Sequence, residues 1–185
     1  IAGDDTNVVV NGAAMLRAGQ LADSTLLADH AAVGGVGREQ FKTVIDGDAT
    51  GVFQGKILVR QPAQRTDGYQ MNQALFLSPD AEIDSKPQLE IYADDVKCSH
   101  GSTTGALDET ALFYLRSRGV PRERAIVLLV LSFLADALDE VEDEALRTQI
   151  GERLDAREVV LRPGPEDERV WEYFASVSMP EEPVV

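Results

Sequence analysis

Up to about residue 105 the chain alternates short apolar runs with clusters of Gly, Asp, Asn and Pro. The run at 8–10 precedes Asn11-Gly12, and that at 41–45 precedes Asp46-Gly47-Asp48. Residues 56–60 lead into Gln61-Pro62, 75–77 into Ser78-Pro79-Asp80, and 89–92 into Asp94-Asp95. Runs of three to six Val-, Ile-, Leu- and Phe-rich residues bounded in this way predict β-strands. Within them polarity alternates: Gly55, Ile57 and Val59 fall on one face, Lys56, Leu58 and Arg60 on the other. Gly34, Gly35, Gly37, Gly47, Gly51 and Gly55 suit tight corners between stacked coils. Short strands at such intervals, with no helical pattern between them, fit a β-sandwich or a parallel β-helix. Spacing alone leaves both open.

After Gly105 the period changes. Ala111, Leu112 and Leu115 repeat at helical spacing behind Asp108, a residue suited to cap a helix N-terminus. Gly119 and Pro121 mark the end of that helix and the start of a second. Ile126, Leu129, Val130, Phe133, Leu134, Ala137, Leu138 and Val141 extend a wide apolar stripe to about Glu142. Leu128 and Leu131 widen it further, for packing under the other helices or for a partner. A third helix is expected from about Glu144 to Ala156, with Leu146, Ile150 and Leu154 in register. The expected organisation is therefore a β-rich unit over 1–105, three helices over 106–157, and an extended, acidic, Pro-containing tail over 158–185.

Composition narrows the function. Apolar residues are 44% of the 185, enough to form a core, and the chain opens on Ile1, as expected of a piece of a longer protein. The longest apolar stretch, 125–131, is far short of the roughly 20 residues of a membrane span, so no membrane partner is expected. A net charge of −15 repels a phosphate backbone, which argues against nucleic acid, and serves solubility. Cys98 is the single cysteine, so no disulfide can form within the chain and a reducing, cytoplasmic setting is expected. With two histidines beside it, the chain has no four-cysteine cluster site, and a complete metal shell would have to recruit other groups.

Cys98 and His100 form the one pairing with metal-binding character. In a strand, positions i and i+2 point the same way, about 6.6 Å apart, so both can approach one ion or cluster edge. Two ligands do not complete a site, and a small buried thiol beside a hydrogen-bonded turn histidine is the simpler reading. His30 follows Asp29, but adjacent strand residues face opposite sides, which predicts a strand-edge histidine and no acid–base dyad. Gly34-Gly35-Val36-Gly37 lacks the strand–loop–helix context of a phosphate cradle.

The contiguous segment 89–109, LEIYADDVKCSHGSTTGALDE, resembles the most distinctive stretch of the SufB/SufD family. The segment 112–119, LFYLRSRG, and the stretch from Phe41-Lys42 through Phe53-Gln54-Gly55-Lys56-Ile57 resemble it too. The resemblance implies a mainly β fold, a right-handed parallel β-helix followed by a small C-terminal α-helical domain. It also implies a non-catalytic scaffold for iron–sulfur cluster assembly. Such a scaffold pairs with a SufB-like paralogue through the β-helix and docks a SufC-like ABC ATPase through its helices. SufB-like chains carry a cysteine where Asn72 stands here, and acidic residues where Ser99 and Gly101 flank His100, so the resemblance is to SufD. By the same resemblance, His100 with Cys98 beside it is the contribution to a transient iron–sulfur cluster shared with SufB, and no cofactor is held stably by this chain alone. Phe113, Tyr114, Arg116 and Arg118 are the candidate ATPase contacts, although Phe113 and Tyr114 equally suit a core. A homodimer of the isolated chain, and less readily a β-helix enzyme acting on polysaccharides, are the alternatives.

Overall fold

A computed structural model describes residues 1–138, 141 and 143–157, with the side chains of 152–157 excepted. The expected tail over 158–185 and the side chain of Leu154 lie outside the described residues. Seven ten-residue strands come first: β1 (Asn7–Leu16), β2 (Leu21–His30), β3 (Val36–Ile45), β4 (Thr50–Val59), β5 (Asp67–Phe76), β6 (Glu82–Ile91) and β7 (Lys97–Ala106). They alternate between two parallel sheets, ordered β1-β3-β5-β7 and β2-β4-β6. Val36 stacks on Asn7, Asp67 on Val36 and Lys97 on Asp67, so each coil takes about thirty residues. This is a parallel β-solenoid of about three turns, not a sandwich.

The strands are longer than their apolar runs, because the inward positions are not all apolar. Along β4 the inward face runs Gly51, Phe53, Gly55, Ile57 and Val59, all buried, while Gln54 and Lys56 face outward. Along β3 and β5, however, the inward set includes Glu39, Gln70 and Asn72, each nearly or fully buried. Asn11-Gly12, expected as a turn, lies inside β1, where Gly12 makes room for the Phe41 ring. Of the expected corner glycines, Gly34 and Gly47 do turn the chain, at φ 73° and 65°, a region that favours glycine. Gly37, Gly51 and Gly55 instead lie within strands and leave space for inward side chains. A Cβ on Gly37 would stand 2.8 Å from His30 Nε2, and one on Gly51 2.7 Å from Ile83 Cδ1.

Two apolar clusters fill the lumen, one of Leu16, Ile45, Ala49, Ala74 and Ala81, the other of Ala28, Ile57, Val59, Ala63 and Ala93. The helical region packs on part of the outer face of the four-stranded sheet. Helix α1 (Glu109–Ser117) is capped by Asp108, whose carboxylate accepts from the Thr110 and Ala111 amides, and it stops at Gly119 with φ 87°. Helix α2 (Arg122–Ala135) ends sooner than the apolar stripe suggested and passes into a 3₁₀ turn, Asp136–Leu138. Val130 and Leu134 of α2 pack on Met15, Val44 and Leu75, the outward residues near the C-terminal ends of β1, β3 and β5. Lys42, next to this patch, is 2% exposed and pairs with Asp136 at 2.6 Å. Helix α3 (Glu144–Arg157) follows, with Leu146 about half exposed. No described helix is long and apolar enough to cross a membrane.

Candidate functional site

Strand β7 is the last strand of its sheet, so one of its edges has no neighbouring strand among the described residues. Cys98 and His100 both lie on it, on the same face, and both stack on the inward row of β5: Cys98 on Gly68 and His100 on Gln70. The pairing expected from their spacing is thus placed at the open end of the solenoid. Cys98 is half-buried and His100 exposed, so the histidine is a surface residue and not a hydrogen-bonded turn residue. Cys98 packs against the Ile57–Val59 cluster beside Leu89 and Val96. That apolar burial pushes its thiol above the ordinary range, with the Gly68 backbone opposing the shift. The free thiol is therefore protonated at neutral pH, and binding a metal requires it to lose that proton.

Beneath these two residues the lumen is polar. Glu39, Gln70 and His100 form one ladder across β3, β5 and β7. Gln70 Nε2 donates to Glu39 Oε2 at 2.9 Å, and Gln70 Oε1 is buried without a partner. Burial raises the Glu39 carboxyl, and the Gln70 bond partly offsets this. In the next row Asn72 Nδ2 donates to Ser85 Oγ at 3.1 Å, which also accepts from Ser102 at 2.9 Å. Sequence reasoning missed this layer. Its only sequence signal was polar residues at alternating positions inside otherwise apolar strands.

His30 is not a strand-edge histidine in contact with water. It closes β2 fully buried over Gly35 and Gly37, with neither ring nitrogen hydrogen-bonded. Burial lowers its affinity for a proton, so the ring is neutral. Asp29 faces the other way, as expected, and makes a two-point ion pair with Arg60 at 2.7 and 2.8 Å. No Asp–His dyad exists. Among the described residues no group of three His, Cys, Asp or Glu side chains is placed to hold a metal ion.

On α1, Phe113 and Tyr114 are 72% and 54% exposed, which removes them from the core. Arg116 and Arg118 are exposed as well, and the Arg118 guanidinium lies 4.5 Å from the centre of the Tyr114 ring. Leu128 on α2 is 36% exposed, so the widened stripe is not wholly used in packing.

Known proteins are similar to this chain in sequence. The family model described as SUF system FeS cluster assembly, SufBD core domain, matches residues 1–133. The iron–sulfur cluster assembly protein SufD of Escherichia coli is 38% identical over 155 residues, which cover 84% of this chain and 37% of that protein. A SufBD family protein of Synechocystis is 40% identical over 125 residues, covering 68% of this chain and 28% of that one. The SufD of Bacillus subtilis is 34% identical over 107 residues, covering 58% and 24%. The chain thus spans roughly a third of the length of the curated relatives it matches. On its domain match and its identity to SufD over most of its length, the chain belongs to the SufB/SufD family and is a SufD-like member of it.

Proposed function

We propose that this chain is the part of a SufD-type scaffold that offers two ligands to a nascent iron–sulfur cluster. The observation that carries the reading is the position of Cys98 and His100, side by side on the edge strand of an open solenoid end. A thiol and an imidazole there are accessible to a second molecule but too few to form a shell. The remaining ligands then come from the partner, a SufB-like paralogue that packs edge to edge with β7 and carries a cysteine where this chain has Asn72. The cluster is cargo, built at the junction and passed on. No catalytic residue is required of this chain, and its role is that of a scaffold.

The helices supply the second contact. Phe113, Tyr114, Arg116 and Arg118 present aromatic and guanidinium groups on one exposed helix, the residue types that dominate interface energy. They fit docking of a SufC-like ABC ATPase. Replacing Phe113 and Tyr114 together by alanine is expected to weaken ATPase binding at least tenfold, about 1.4 kcal/mol or more. Co-migration on a sizing column, with binding measured by calorimetry, reads the effect. Unchanged affinity would remove these side chains from the interface.

The cluster site has its own test. The chain carrying His100→Ala, assembled with the paralogue and the ATPase, is expected to accumulate less than half the wild-type iron and sulfide per complex. Maturation at the wild-type rate excludes His100 as a ligand.

A further inference from the structure

The buried amide of Gln70 has one end occupied and one end free. With Glu39 ionised its Oε2 accepts from an N–H, and the 2.9 Å contact then places Nε2 on the Glu39 side and Oε1 on the other. Oε1 is then a buried acceptor with no donor. Such groups are rare in folded proteins and each calls for an explanation. Across the ladder from Glu39, the register partner of Gln70 is His100. In the neighbouring row, Asn72 Nδ2 and the Ser102 hydroxyl both donate to Ser85.

We infer that Gln70 is a positioning residue for His100, its Oε1 accepting one imidazole N–H once a partner covers the solenoid end. The inference rests on the reading of His100 as a ligand to the shared cluster. In the free chain His100 is exposed and water satisfies its ring. When the end is covered that water leaves, and the ring N–H and the Gln70 oxygen become each other's remaining partners. A neutral imidazole carries one N–H and one lone pair. Committing the N–H to Gln70 turns the lone pair of the other nitrogen away from the lumen, toward the junction where iron would sit. Metal-bound histidines almost always donate their second nitrogen in this way, and loss of that partner typically costs 10- to 100-fold in metal affinity. Glu39 contributes by fixing the amide: without an acceptor on the Nε2 side, the amide is free to turn its N–H₂ toward His100, where two donors would face each other.

The test uses the assembled complex of this chain with its paralogue, with ¹⁵N-histidine in this chain only. With the cluster loaded, the wild type should show nitrogen hyperfine coupling from a bound histidine, and His30→Leu should keep it. Gln70→Met, close in volume but without an oxygen, should bind iron at least tenfold more weakly while its circular dichroism is unchanged. Absence of the coupling in the wild type overturns the ligand reading and this inference with it. Coupling in the wild type, with iron affinity in Gln70→Met within twofold, overturns the inference alone. One measurement needs no variant. Before iron is added, the neutral His100 ring of the wild-type complex should be a single tautomer with an N–H slow to exchange, and a mixture of two tautomers overturns the inference.

Discussion

Phe53→Ala is expected to lower the unfolding free energy by about 4 kcal/mol, read from the midpoint of urea denaturation. Phe53 is 2% exposed and leads the fully buried side chains in size. Its ring lies 5.0 Å from that of Phe41, tilted by 46°, an arrangement that adds a little beyond area burial. Phe41 in turn occupies the space that Gly12 leaves open. The two rings therefore join β1, β3 and β4, spanning both sheets of the first complete coil. Truncation leaves a void whose walls are fixed by parallel ladders on both sides, so the lumen cannot collapse to fill it. Phe53→Leu should recover more than half of the loss, since most of the apolar volume returns. A loss below about 1 kcal/mol for Phe53→Ala would mean that the lumen repacks freely, against the ladder argument.

The same lumen explains which parts of the fold could be read from the sequence. Turns were legible at Asp46-Gly47-Asp48, Gln61-Pro62 and Asp94-Asp95, because their residue types are needed where the coil changes direction. Strand length was not. In an ordinary half-buried strand the inward positions are apolar, and the run ends where that alternation fails. Here Glu39, Gln70 and Asn72 are turned inward and bonded to one another or to Ser85, so the alternation fails while the strand continues. Strand β2, with Asp23, Ser24, Thr25 and Asp29 in ten residues, offers only Leu26-Leu27-Ala28 as an apolar run, and no turn signal bounds it clearly. The choice between solenoid and sandwich depends on parallel register between residues about thirty apart, which no local pattern encodes. The family resemblance of the segment at 89–109 decided it.

The helices were easier, because capping and stopping signals act locally. Asp108 caps α1 and Gly119 ends it where the sequence predicts. The end of α2 was overrun because apolar residues continue past it. Ala137 stays buried after the helix has given way to a 3₁₀ turn, and the turn is held from outside: Asn11 Nδ2 donates to the Ala137 carbonyl at 2.9 Å. For the candidate site, spacing and residue type singled out Cys98 and His100 as a pair, and the family resemblance implied the ligand role proposed for them. The layer behind them was not legible, since a buried glutamine and glutamate look like surface residues in a sequence.

Asp136→Ala should cost about 1.5 kcal/mol in urea unfolding, more than an exposed pair and less than a fully buried one, since Asp136 itself is largely exposed. The reason lies with its partner. Lys42 stands on the outer face of β3, 2% exposed, with its ammonium 4.7 Å from the centre of the Phe133 ring and 2.6 Å from Asp136. Removing the carboxylate leaves a largely buried cation with the ring face and only such water as enters where Asp136 stood, the costly way to break such a pair. Replacing Lys42 by methionine removes the charge that needs a partner and should cost about 1 kcal/mol or less. The double variant should therefore be more stable than Asp136→Ala alone, a sign that a simple sum of two losses cannot give. This pair, with Val130 and Leu134 packed on Met15, Val44 and Leu75, ties α2 to β1, β3 and β5. The inward face of β3 and β5 carries Glu39 and Gln70. If Asp136→Ala unfolds within 0.5 kcal/mol of wild type, the helices are held by apolar packing alone.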